Sequence, residues 1–126
     1  MNATLSFSAS VAIDNETKTV GSTATLNATS VTSGKQTVGT SYEMLATADG
    51  STQAIILHNT GAVDVSVRVD LQTFTTNEYI CMLIPPDGLL VVPAFMFGDA
   101  GITGPNNNIL CRAASGTVDI DYCIVR

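Results

Sequence analysis

Apolar and polar residues alternate with a period of two along much of the chain, which is the pattern of β-strands with one covered face. Residues 4–13 give the first case, and Asp14-Asn15-Glu16 then predicts a turn. The apolar face of this segment would consist of Leu5, Phe7, Ala9, Val11 and Ile13. We therefore expect a half-buried strand at the N-terminal end.

The strongest strand signals lie in the second half of the chain. His58-Asn59-Thr60-Gly61 predicts a turn, and residues 63–69 then alternate between valine and polar residues. Residues 117–125 repeat the alternation in TVDIDYCIV. The apolar run of residues 79–84 stops at Pro85-Pro86, since proline cannot continue a central strand. These segments predict the main strands of the core.

Residues 21–40 carry a weaker signal because small residues, threonine and serine dominate them. Threonine favours strands, but little bulk is present here to anchor a core. We interpret this segment as thin strands or an extended arm, with Ser33-Gly34-Lys35 as a hairpin tip.

These patterns together predict an all-β protein with about eight short strands and no helix. The spacing favours a single-domain antiparallel β-sandwich over residues 1–126, jelly-roll-like, with an extended N-terminal segment. Residues 1–50 would be partly arm-like, and residues 51–126 would supply the core strands. At this length one hydrophobic core is expected.

The composition points to association with other proteins. Charged residues make up 13% of the chain, about half the usual share, and a surface short of charge is poorly protected against association. The five basic residues are scattered and the net charge is −6, which argues against nucleic acid and anionic membranes as partners.

The three cysteines, Cys81, Cys111 and Cys123, lie far apart in apolar runs, so we expect buried free thiols. A reducing folding compartment fits this expectation. The N-terminus also lacks the basic and apolar segments of a signal peptide.

Catalytic and metal-binding patterns are weak. His58 is the only histidine, and most nucleophilic triads and zinc sites need an imidazole with several partners. Asp119 and Asp121 project from one strand face and would need Asp64 on a neighbouring strand to form a calcium site. We interpret the three aspartates as solvent-facing, and predict no enzymatic activity, cofactor or metal.

Phe95-Met96-Phe97 follows a proline and precedes a loop rich in glycine and asparagine. The cluster either closes the core or anchors a neighbouring subunit, where aromatic residues and methionine are enriched. The candidate partner interface combines this cluster with the N-terminal strand, as Leu5, Phe7, Val11, Phe95, Met96 and Phe97.

Three segments, AIILHNTGAVDVSVRV, LIPPDGLLVV and the C-terminal ILCRAASGTVDIDYCIV, give the second half a resemblance to known proteins. Their order resembles small β-sandwich structural proteins of tailed bacteriophages. This resemblance implies a virion component, first a capsid decoration or cement protein and next a head–tail connector or tail component. By the same analogy the chain would form a trimer and contact the major capsid protein or another virion protein.

Two other classes remain open at this point. A ligand-binding module would use the loops around residues 85–88 and 98–108 to hold a glycan or Ca²⁺. An enzyme would need a pocket that joins His58 to Asp119 or Asp121.

Between subunits, strand edges in residues 1–13 or 21–40 can add to a neighbour's sheet, and we expect one of these segments to cross to an adjacent subunit.

Overall fold

The computed structural model describes residues 2–48, 52–72, 77–93 and 107–126. These residues contain ten β-strands and no helix, so the prediction of an all-β chain is confirmed. In chain order the strands are β1 (Asn2–Ile13), β2 (Glu16–Asn27), β3 (Val31–Val38), β4 (Glu43–Ala48), β5 (Ala54–Asn59), β6 (Val65–Gln72), β7 (Asn77–Ile84), β8 (Leu89–Pro93), β9 (Asn107–Ala113) and β10 (Val118–Val125).

Among the described residues, the strands form three antiparallel sheets. Strands β1 and β2 pair only with each other. The first four-stranded sheet has the order β3-β10-β5-β8, and the second has the order β4-β9-β6-β7. Two strands from the first fifty residues, β3 and β4, are therefore edge strands of these sheets. The remaining N-terminal part is the β1–β2 hairpin.

The core is one cluster of buried apolar side chains to which both four-stranded sheets contribute. The valine stripe is confirmed, since Val65, Val67 and Val69 are fully buried on β6. The first sheet contributes Ile55 and Leu57 from β5, with further side chains from β10. The inward side chains of β10 are Val118, Ile120, Ile124 and the half-buried Tyr122, as the alternating pattern predicts.

One buried amide joins the two sheets at an end of the core. The side chain of Asn59, at the end of β5, donates to the carbonyl oxygens of Val63 (2.8 Å) and Ile84 (3.0 Å). Its Oδ1 accepts from the backbone N–H of Gly61 at 3.0 Å. Because Ile84 ends β7 in the second sheet, this side chain fixes the loop after β5 to the opposite sheet.

Three local predictions were wrong. Ser33-Gly34-Lys35 is the middle of β3 and not a hairpin tip. Gly34 pairs with Tyr122, and a Cβ at Gly34 would lie 2.7 Å from the Tyr122 hydroxyl, so a tyrosine ring takes the space of the missing side chain. His58 and Asn59 end β5 rather than forming a turn, and Val63 precedes β6.

Candidate interaction site

The hairpin of β1 and β2 is the least covered part of the described chain. Twelve residues of each strand pair in uninterrupted register, from Asn2↔Asn27 to Ile13↔Glu16. At about 3.4 Å per residue the ribbon is roughly 40 Å long. The turn consists of Asp14 and Asn15, and Asp14 has a φ of 55°, which aspartate tolerates better than most residues.

The pairing places apolar side chains on one face of the ribbon. We call the apolar side chains of this face the apolar stripe, and its members are Leu5, Ala9, Val11, Ile13 and Val20; register places Ser22, Lys18 and Glu16 on the same face. The opposite face carries hydroxyl groups, with hydrogen bonds between Ser6 and Thr23 (3.2 Å) and between Ser10 and Thr19 (3.0 Å). The ribbon is thus amphipathic although it has no second layer within the described chain.

Within the part of the chain that the structure describes, the base is the part of the hairpin that is anchored to the other strands. Ala3, Leu5 and Leu26 pack against a small buried cluster of Ala28, Ala54 and Val125. The Gln53 amide donates to the Asn27 carbonyl oxygen at 2.6 Å, and the Ser30 and Arg126 backbones exchange hydrogen bonds next to it. These contacts hold the root of the ribbon to the ends of β5 and β10.

Beyond the base, every side chain described from Ser8 to Thr23 is exposed. Val11 is 59% exposed, Ile13 67% and Val20 77%. The N-terminal strand itself is confirmed, but the expectation that it is half-buried is wrong for a single copy of the chain. Apolar and polar residues do alternate along β1, but the described residues form no layer over its apolar face.

The predicted interface residues have different outcomes. Leu5 lies at the anchored base, and Val11 lies on the exposed stripe. Phe7 belongs to β1 and pairs with Ser22, while its side chain lies outside the described part. Phe95, Met96 and Phe97 also lie outside the described residues.

A second exposed apolar surface, missed in the sequence analysis, lies on the outward face of the second sheet. Register places Cys81 and Leu110 opposite Arg68, and Leu83 and Arg112 opposite Ser66. We call this surface the Tyr–Arg face and define it by Tyr42, Met44, Arg68, Tyr79, Leu83 and Arg112. Met44, Tyr79 and Leu83 are each more than half exposed.

Arginine and tyrosine stack on one another across this face. The Arg68 guanidinium lies 5.1 Å from the Tyr42 ring centre and 5.6 Å from that of Tyr79. Arg112 lies 4.6 Å from the Tyr42 ring centre, within the range of cation–π attraction. Burial and the neighbouring Cys81 thiol raise the pKa of Tyr42 above its ordinary value, against the opposite effect of the two arginines.

The outward face of the first sheet is different because its carboxylates already contact neighbouring side chains. Lys35 lies 3.6 Å from Asp121, and His58 Nε2 lies 2.9 Å from Asp87 Oδ1. The Thr37 hydroxyl donates to Asp119 at 2.5 Å. A surface whose carboxylates contact neighbouring polar side chains is typical of a face in contact with solvent.

The alternative calcium site, which would combine Asp64 with Asp119 and Asp121, does not form. Asp119 and Asp121 lie on β10 in the first sheet, whereas Asp64 precedes β6 in the second sheet. Within the described ranges no three histidine, cysteine or acidic side chains are grouped to hold a metal ion. His58 and Asp121 are register partners, but the His58 imidazole contacts Asp87 and the Asp121 carboxylate contacts Lys35.

The cysteines are free, as predicted, but their burial differs from the prediction. Cys111 is fully buried, and burial raises its pKa to about 12. Cys123 is half-buried, and Cys81 is exposed on β7. Cys81 alternates with inward residues, so its strand position and not its polarity decides its exposure.

Comparison with protein-family models, curated proteins and solved structures gives no match for this chain. Among the described residues, no helix has the length and apolar character required to span a membrane. The apolar stripe and the Tyr–Arg face are therefore the features of this chain from which a function can be inferred.

Proposed function

We propose that this chain is a non-enzymatic structural protein of a viral particle, a capsid decoration or cement protein of the tailed-bacteriophage type. It would stabilise the shell through contacts between subunits, as part of a closed homo-oligomer, with three copies as the expected number. Assembly in the host cytoplasm and a final location in the virion belong to the same proposal.

The strand order supports the finer fold that we propose, a jelly-roll β-sandwich. The two sheets, β3-β10-β5-β8 and β4-β9-β6-β7, have the order that results when two four-stranded Greek keys share one core. Jelly rolls recur in viral capsids and in lectins, so the fold is compatible with a particle protein without specifying one.

The observation that carries the proposal is the exposed apolar stripe. A two-stranded ribbon is marginally stable in water by itself, and more strands or a covering layer are needed to stabilise it. Burial of Val11, Ile13 and Val20 against a neighbour would contribute about 1–2 kcal/mol for each side chain. An arm of this kind gains both its affinity and its order from the assembly.

The mass of the chain in solution, measured by light scattering, tests this proposal. We expect the wild-type chain to form a closed oligomer whose mass is a multiple of 13.1 kDa and does not change with a calcium chelator. The double variant Val11→Asp with Val20→Asp should remain folded and become monomeric, because two carboxylates cannot be buried in an apolar contact without a large cost.

The matched control is Ser8→Asp with Thr19→Asp on the polar face, which has the same charge change and the same diagonal spacing across the ribbon. We expect it to keep the wild-type mass. If the stripe variant assembled like the wild type, the arm proposal would be wrong. A monomer that loses thermal stability on chelation would favour the calcium-binding module instead.

The copy number in purified particles tests the position in the virion. A decoration protein is expected in proportion to the shell subunits. A copy number that corresponds to a single ring would identify a head–tail connector or tail component, and absence from the particle would exclude the virion proposal.

A further inference from the structure

The structure carries two exposed apolar surfaces of different charge, and their properties are complementary. The tip of the hairpin bears Asp14 and Glu16 beside one lysine, Lys18, so it is acidic overall. The Tyr–Arg face bears Arg68 and Arg112 among exposed apolar groups, with an acidic residue, Asp70, as the register partner of Tyr79 at its edge. We propose that the Tyr–Arg face of one copy receives the apolar stripe and acidic tip of the hairpin from a second copy.

The contrast between the two outward sheet faces supports this choice of surface. On the first sheet, lysine, histidine and threonine already engage the carboxylates of Asp121, Asp87 and Asp119. On the Tyr–Arg face, Arg112 is exposed with its guanidinium over the Tyr42 ring, and within the described part of the chain it forms no ion pair. Acidic groups at the hairpin tip therefore find their better partner on the second sheet.

The composition of the face also fits a protein partner. Tyrosine, arginine and methionine are the residue types enriched at the energetic centres of interfaces. Tyr79, Leu83 and Met44 offer apolar surface to valine and isoleucine side chains of the stripe. Tyrosine rings lose little side-chain entropy on binding, so such a face is well suited to receive an extended ribbon.

The length of the hairpin beyond its base explains why the hairpin that binds the Tyr–Arg face comes from a second copy. From Ser6 to Ile13 the ribbon extends roughly 25 Å beyond its anchored base. Its described side chains in this part are exposed, so it does not fold back onto its own sheets. A donor surface and a different acceptor surface on every copy form a head-to-tail contact, which closes into a ring when the rotation allows.

This inference rests on the proposed function, namely that the hairpin joins subunits, and it adds the surface that receives the hairpin. The test uses three variants of the full chain. The arm variant is Val11→Asp with Val20→Asp, and the face variant is Met44→Asp with Leu83→Asp. The control, Leu89→Asp, changes an equally exposed apolar residue on the outward face of the first sheet.

We expect the arm and face variants each to be monomeric, with association at least about a hundredfold weaker than in the wild type. An equimolar mixture of the two should give a complex of twice the chain mass, because one component retains an intact arm and the other an intact face. The control should keep the wild-type mass. Circular dichroism of each variant establishes that the β fold is retained.

The outcomes separate the two proposals. If the face variant assembles like the wild type while the arm variant is monomeric, the hairpin joins subunits through another surface and this inference is overturned alone. If the arm variant assembles normally, the hairpin does not join subunits, so the proposed function is wrong and the inference that rests on it is wrong as well. Two monomeric variants that give no complex on mixing, or a monomeric wild type, would also overturn the inference.

Discussion

The buried side chain of Asn59 provides the sharpest stability prediction. It is fully buried at the end of β5 and makes three hydrogen bonds to backbone groups, two in the loop that follows β5 and one at the end of β7. Both backbone groups of Asn59 are also hydrogen-bonded, since its N–H donates to the Gly88 carbonyl oxygen and its carbonyl oxygen accepts from the Asp87 N–H. Replacement of Asn59 by alanine removes the three side-chain bonds and leaves the fold around them unchanged.

The magnitude follows from the groups that lose their partner. The Ile84 carbonyl oxygen is in the buried part of this network, and a buried polar group without a partner costs about 1–3 kcal/mol. The bonds to Val63 and Gly61 are partly buried and contribute about 0.5–1.5 kcal/mol each. We therefore expect Asn59→Ala to lower the free energy of unfolding by about 3–4 kcal/mol, against a total of about 5–15 kcal/mol for a domain.

Urea unfolding followed by circular dichroism measures this change, with Asn2→Ala as the control at an exposed position. The midpoint should fall while the slope of the unfolding free energy with urea stays constant, because the surface exposed on unfolding is the same. The thermal midpoint should fall by roughly 10–20 °C. A loss below about 1 kcal/mol would refute the view that this amide ties the two sheets together.

Two further predictions concern the core. Gly61→Ala should lower the free energy of unfolding by about 2 kcal/mol or more, because the added Cβ would lie 2.0 Å from Val118 Cγ2. Val118→Ala in the same chain should recover part of this loss. If the free-energy changes of the two single variants simply added in the double variant, this explanation would be contradicted. Since burial raises the pKa of Cys111 to about 12 in the folded state, the unfolded thiol loses its proton first, and this contribution to stability is lost between about pH 9 and pH 12. Unfolding of Cys111→Ala over that range should show a smaller fall with pH, and an equal fall in both proteins would exclude the thiol as its cause.

The strands of the core could be predicted from the sequence because their burial is decided locally. Val65, Val67 and Val69 alternate with polar residues, and a period of two leaves only one face for them to share. The same reasoning placed Val118, Ile120 and Ile124 inside. It also predicted the strand β1 and its turn at Asp14 and Asn15.

The exposed surfaces could not be predicted from the alternating pattern in the same way. An alternating pattern shows that a strand has two unlike faces, but it does not show whether another layer of the same chain covers the apolar one. For β1 the pattern suggested a half-buried strand, and the hairpin is exposed beyond its base. Likewise, nothing in the sequence pattern connects Tyr42 with Arg68 and Arg112, because only the pairing of β4 with β9 and of β9 with β6 brings these distant residues together.

The sequence by itself thus determined the fold class and the inward side of the central strands, since these depend on periodicity and on turn residues within a few positions. Tertiary structure alone decided which strands became neighbours. It separated Asp64 from Asp119 by placing them in different sheets, and it left space at Gly34 for the Tyr122 ring. The physical reason is that strand pairing joins residues far apart in the chain, and its free energy depends on the whole core that the pairing completes.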